Sequence, residues 1–86
     1  MRHARPHALD QLEPLLARLR AIAGLKEKSR GVFYRGAKAF LHFHEDPAGL
    51  FADIRAADGR HFDRFQVDGE EAQAALARTA EERAKG

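Results

Sequence analysis

Two histidines separated by one residue are the clearest candidates for chemistry in this sequence. His42 and His44 lie in Lys38–His44, a run with two phenylalanines and alternating apolar residues that is typical of a β-strand. Successive side chains of a strand point to opposite faces, so both imidazoles are expected on one face, about 7 Å apart. Asp53, in the next predicted strand, is a candidate third ligand. Imidazole and carboxylate groups are common zinc ligands, so the pattern predicts a metal site formed by His42, His44 and Asp53.

The same three residues allow two other interpretations. An imidazole beside a carboxylate can act in general acid–base catalysis, which would make this group the active site of a small enzyme. The simplest alternative is that both histidines are hydrogen-bonded or solvent-facing residues without a ligand. The sequence has no cysteine, no glycine-rich phosphate loop and no nucleophile motif, so nothing else in it supports catalysis. We therefore favour a non-catalytic protein without a cofactor over an enzyme.

A second candidate site is basic. Residues 1–44 carry nine Lys or Arg against three Asp or Glu, whereas residues 45–86 carry six against ten. Five of the basic residues surround the first predicted hairpin: Lys26, Lys28, Arg30, Arg35 and Lys38. With Phe33 and Tyr34 between them, they are typical of a surface that holds phosphates and stacks bases, which predicts nucleic acid or another polyanion as a partner. The alternative is a solvated basic edge that discourages strand-to-strand aggregation.

The elements that must position these residues are a sheet and two helices. Leucines spaced three or four apart predict an amphipathic helix over 12–23, which Gly24 ends. Four strands follow, at 31–35, 38–44, 50–55 and 60–67, and a second helix covers 70–84. Because the strand connections are short, the sheet is expected to be antiparallel. The sequence thus predicts one α+β domain over 1–86, in the order α-β-β-β-β-α with a four-stranded meander, and frayed ends at 1–9 and 84–86.

The alternation of side chains also predicts an interface. Leu41, Phe43 and Ile54 are expected to pack beneath the helices. Phe40, Phe51 and Phe62 are expected on the opposite face, among the histidines. An uncovered sheet face with three phenylalanines is unusual for a monomer, and an 86-residue chain has a small core. A homodimer through Phe40, Phe51 and Phe62 is therefore predicted.

Composition narrows the class of protein and its compartment. No run reaches the roughly 18 apolar residues of a membrane-spanning helix, so no membrane partner is expected. The absence of cysteine fits a reducing cytoplasm. Heavy use of Ala and Arg indicates a GC-rich bacterial genome. We expect a cytoplasmic bacterial protein.

Three segments resemble the YjbR-like (MmcQ) family. They are Gly24-Leu25, residues 32–41 with Gly36-x-Lys38-x-Phe40, and Leu50-Phe51-Ala52-Asp53-Ile54-Arg55. The resemblance covers about residues 15–67 and has no counterpart of the longer C-terminal part of those proteins. It implies an α+β fold and DNA binding through a double-wing arrangement, and it transfers no catalytic residue.

Overall fold

A computed structural model describes residues 1–85, where it contains six strands and three helices. The strands are β1 (Arg2–His3), β2 (Leu25–Ser29), β3 (Val32–Arg35), β4 (Lys38–Asp46), β5 (Gly49–Arg55) and β6 (Phe62–Gln66). The helices are α1 (Pro6–Gln11), α2 (Glu13–Arg20) and α3 (Glu70–Lys85). The prediction of an α+β fold with an antiparallel sheet is confirmed. No helix within residues 1–85 is long and apolar enough to cross a membrane.

The sheet is larger than the four-stranded meander that was predicted. Its strands follow the order β2-β3-β4-β5-β6, and β1 pairs with the second half of β4, on the same edge as β3. In the segment 1–9, which was predicted to be frayed, the structure has β1 and the first part of α1. Of the predicted frayed end at 84–86, Ala84 and Lys85 are helical and Gly86 lies outside the described residues.

The N-terminal helix is divided in two. Leu12 has non-helical backbone angles, with φ −98° and ψ 2°, and separates α1 from α2. Pro14 then falls in the first turn of α2, where its missing N–H leaves no hydrogen bond unmade. Both short helices turn leucines toward the sheet, and together with α3 they cover one face of it.

A bulge in β4 decides which side chains enter the core. Phe33 pairs with Leu41 and Tyr34 with Ala39, so Phe40 has no partner in β3. This extra residue lets Phe40 and Leu41 both turn inward, and Phe40 is only 3% exposed. The prediction that Phe40 faces outward is therefore wrong. Alternation resumes beyond the bulge, with Phe43 buried and the flanking histidines on the opposite face.

An ion-pair network fastens the edge strand β2 to the helices. Glu27 accepts hydrogen bonds from Nε and Nη2 of Arg20, at 2.6 and 3.1 Å, and from the backbone N–H of Gly31, at 2.9 Å. Arg20 also donates to Glu13, which in turn lies 2.9 Å from Arg30. The bond from Arg20 lowers the pKa of Glu27. The charge of Glu27 thus joins β2 to α2, although β2 has almost no apolar side chain.

We expect Glu27→Gln to reduce the free energy of unfolding by about 1 kcal/mol at pH 7, because the amide removes the charge that pairs with Arg20. The folded pKa of Glu27 lies below its ordinary value of 4.5, so this stability is present above pH 4.5. It is lost as the pH falls through the lower, folded pKa. Urea denaturation over a pH series checks both points, with the exposed Glu81→Gln as the control. A difference between variant and wild type that does not shrink in acid contradicts the prediction.

Candidate metal centre

Three histidines meet on the sheet face that is turned away from the helices. His42 and His44 come from β4, and β1 adds His3, which is paired in register with His44. One nitrogen from each of the three rings lies within 4.8 Å of the other two. The ring of His44 is central, since its centroid is 5.0 Å from that of His3 and 5.0 Å from that of His42. The sequence predicted His42 and His44 on one face, and the structure brings them together there.

Three of the four ring nitrogens of the β4 histidines are shielded from solvent. Nδ1 of His42 and both ring nitrogens of His44 are buried without a hydrogen-bond partner in residues 1–85. Buried polar atoms in folded proteins nearly always have a partner, and an unsatisfied one costs about 1–3 kcal/mol. Three such atoms in one cluster are therefore unusual. Their concentration indicates a group that is arranged to bind something.

The protonation of His42 suits ligation. Burial, and next the adjacent His44, lowers the pKa of His42 below its ordinary value of 6.5. At neutral pH its imidazole is uncharged and has a free lone pair, which a metal ligand needs. Phe62 contributes to this burial, with its ring centroid 5.3 Å from that of His42.

Asp53 lies beside the three histidines and is held by an arginine. It is 8% exposed and is paired in register with His42 on one side and Arg64 on the other. Both of its carboxylate oxygens accept hydrogen bonds from Arg64, at 2.7 and 2.8 Å, and these bonds lower the pKa of Asp53. Its Oδ2 is also 3.1 Å from Nε2 of His44, although the two atoms are not aligned as a hydrogen bond. Asp53 is thus placed to support His44, while His3 supplies the third ring.

Sequence reasoning missed His3 because it is far from the other histidines along the chain and lies in a strand of two residues. The one signal in the sequence for this strand pairing was the complementary charge of Arg5 and Glu45. Arg5 follows β1 and donates to Glu45 of β4 through its backbone N–H, at 2.7 Å, and through two guanidinium nitrogens, at 3.1 and 3.0 Å. These bonds hold the start of the chain against β4, which brings His3 beside His44.

The predicted phenylalanine interface is smaller than expected. Phe40 belongs to the core, whereas Phe51 and Phe62 lie on the histidine face. Phe51 is half-buried and Phe62 is 38% exposed, with the guanidinium of Arg55 4.9 Å from its ring centroid. Two neighbouring side chains, of which one is exposed, form a modest apolar surface. Self-association through this face stays a prediction.

The five predicted nucleic-acid-binding residues do not form one surface. Lys26 and Lys28 lie on the histidine side of the sheet with Tyr34, and Nζ of Lys28 is 4.3 Å from the centroid of that ring. Arg30 is on the opposite side, paired with Asp10 at 2.8 Å and with Glu13. The remaining two, Arg35 and Lys38, flank the β3–β4 turn and line a cavity at the end of the sheet.

The pair formed by Asp53 and Arg64 should respond unequally to substitution. Arg64→Gln leaves the buried Asp53 carboxylate without its partner, whereas Asp53→Asn leaves an arginine side chain that is 49% exposed and can be hydrated. We therefore expect Arg64→Gln to lower the midpoint of thermal unfolding more than Asp53→Asn. The double variant should lose less than the sum of the two single losses. Calorimetry measures the two midpoints. If Asp53→Asn lowers the midpoint as much as Arg64→Gln, or more, then the unpaired buried carboxylate is not the main cause of destabilisation and the prediction is wrong.

Comparison with known proteins does not identify the centre. No protein-family model matches the chain, and no curated protein and no solved structure is significantly similar to it. The resemblance to the YjbR-like family therefore stays a prediction. The function of the three histidines has to be inferred from their geometry.

Proposed function

We propose that this chain binds a divalent transition-metal ion, Zn²⁺ first among them, through His3, His42 and His44. The observation that carries the proposal is that one nitrogen from each ring lies within 4.8 Å of the others, in a cluster whose buried nitrogens lack partners in residues 1–85. Imidazole is a preferred ligand of Zn²⁺, Cu²⁺ and Ni²⁺. Three imidazoles that meet on one face of a sheet therefore favour metal binding over a purely structural cluster.

The spacing of the rings suits coordination with a small adjustment. Zn–N bonds are about 2.0–2.1 Å long, so three ligating nitrogens around one ion lie about 3–3.5 Å apart. Rotation of the exposed His3 side chain is the simplest way to close the remaining distance. Three protein ligands leave one position of a tetrahedral ion for water or an added ligand, as in catalytic zinc sites. Our proposal thus keeps the predicted metal site, with His3 in place of Asp53 as a ligand.

The neighbours of the histidines support the same proposal. Metal-binding histidines commonly have a carboxylate beside the second ring nitrogen, which fixes the orientation of the ring. Oδ2 of Asp53 lies 3.1 Å from Nε2 of His44, which suits such a role for the carboxylate. Arg64 holds the carboxylate in turn, so the orientation of His44 depends on two strands besides its own.

Calorimetric titration with Zn²⁺ tests the proposal. We expect one ion per chain, and a loss of affinity of at least tenfold for His3→Ala, since tenfold corresponds to about 1.4 kcal/mol and one nitrogen ligand contributes more than that. The double variant His42→Ala/His44→Ala should abolish binding. The matched control is His61→Ala, because His61 is exposed and its Nδ1 lies 2.6 Å from Asp58, outside the cluster. Binding that survives in the double variant, or that falls equally in the control, rejects the proposal.

Zinc should also make β1 more resistant to opening. An ion that joins His3 to β4 stabilises the folded protein by about 2.7 kcal/mol at a free concentration one hundred times its Kd. The backbone N–H of Ala4 donates to the carbonyl of Phe43 at 3.1 Å, so its hydrogen exchange reports on the contact between β1 and β4. We expect this exchange to slow on addition of Zn²⁺ and to recover with EDTA. Unchanged exchange at Ala4 in zinc-saturated protein would exclude His3 as a ligand.

A further inference from the structure

A cavity of about 660 Å³ opens at the end of the sheet where β4 begins. Its walls are the β3–β4 turn, the loop after β5 and the last turns of α3. Pockets for small molecules generally have volumes of about 300–1,000 Å³ and combine apolar walls with a few polar groups. This cavity lies at the start of β4, whereas the histidines lie in its second half.

Positive charge dominates the walls of the cavity. The charged residues that line it are Arg35, Lys38, Arg55, Arg83 and Glu82. Arg83 is paired with Asp63 at 3.0 Å, and Glu82 is the acidic residue among those that line the cavity. Within residues 1–85, neither Arg35 nor Lys38 is paired with a carboxylate. The cations therefore exceed the anions in the part of the cavity that faces solvent.

Arg55 is the most informative member of this group. Its Nε donates to the carbonyl of Ala39 at 2.7 Å, and its Nη1 donates to the carbonyl of Gly59 at 2.7 Å. These neutral acceptors, together with the Phe62 ring 4.9 Å away, fix the half-buried guanidinium, and no carboxylate in the described part of the chain pairs with it. A partly buried charge without a counter-charge is unfavourable. A bound anion would supply the missing counter-charge at a position that is already rigid.

The floor of the cavity is apolar. It consists of Phe40, the residue that the β4 bulge turns inward, with Ala39, Ala56 and Ala57. From these walls and this floor we infer that the cavity binds a small organic anion, with its acidic group against Arg35, Lys38 and Arg55 and its aliphatic or aromatic body over the alanines of the floor. The inference is independent of the metal centre.

The arrangement of charge favours a small anion over a nucleic acid. A strand of nucleic acid follows an extended basic stripe in which aromatic rings stack the bases. Here Arg35 and Lys38 converge on the cavity, whereas Lys26 and Lys28 lie on the histidine face and Arg30 is paired on the helix side. Of these five cations, two therefore line the cavity, two lie on the histidine face and one is ion-paired on the helix side, so they form no continuous basic stripe.

Titration of ¹⁵N-labelled protein with 2-naphthalenesulfonate, followed by NMR, tests this inference. We expect saturable shifts of the amides of Gly36, Ala39 and Gly59. Neutral 2-naphthol and inorganic sulfate should each bind at least tenfold more weakly. Naphthol lacks the anionic group, and sulfate lacks the apolar body. The variant Arg35→Ala/Lys38→Ala should weaken naphthalenesulfonate binding at least tenfold. Both residues are exposed in or beside a turn, so the dispersed spectrum should be retained.

The matched control is Lys26→Ala/Lys28→Ala, which removes the same charge from strand β2, outside the cavity. It should leave the affinity for naphthalenesulfonate unchanged. Four outcomes would overturn the inference: shifts that do not saturate, shifts centred on the histidine face, equal affinity for naphthol and naphthalenesulfonate, or equal losses in the two double variants. Tighter binding of a single-stranded oligonucleotide at Lys26 and Lys28 than of naphthalenesulfonate at the cavity would also overturn it, in favour of a polyanion surface.

Discussion

The pleat of the central strand β4, interrupted by one bulge, is the constraint on which the rest of the structure depends. On one side of the strand, Phe40, Leu41 and Phe43 complete the hydrophobic core. On the other side, the alternation places both β4 histidines in one cluster. A slip of the strand by one residue would exchange the two sets, burying imidazoles among leucines and exposing the core. Burial of the core therefore holds the histidines in position, and the cluster needs no separate scaffold.

The two faces of the sheet are stabilised by different physics. Beneath the helices, apolar side chains are almost completely buried, and burial of apolar area is the main favourable term. On the histidine face, imidazole, carboxylate and guanidinium groups pack close together, and only some of them have hydrogen-bond partners. The bond between Asp53 and Arg64 compensates one buried charge, while nitrogens of His42 and His44 keep no partner in the described chain. Buried polar atoms without partners reduce stability. They are common at functional sites, where a ligand supplies the missing interaction.

Charge determines how the peripheral elements attach. β1 and β2 have little apolar area to bury, and both are held by carboxylate–arginine pairs: Arg5 with Glu45, and Arg20 with Glu27. In both pairs the arginine is exposed and the carboxylate is partly buried, and ion pairs near the surface contribute modestly to stability. The edges of the sheet are consequently the parts that open most easily. His3 belongs to one of these edges, so a ligand that it shares with β4 would link the least stable strand to the most stable one.

The sequence by itself determined the class of fold, the four strands β3 to β6 and the long C-terminal helix α3, because the residue types and spacing within each segment indicate a strand or a helix. It also placed His42 and His44 on one face, since that follows from alternation alone. Only the tertiary structure added His3, in a strand of two residues that pairs across about forty positions, and β2, whose polar residues have no alternating pattern. It also moved Phe40 into the core, because a bulge arises from the pairing of two strands. The periodicity of a helix or strand depends on residues that are neighbours in sequence. Strand pairing, bulges and the convergence of side chains depend instead on which distant segments come into contact.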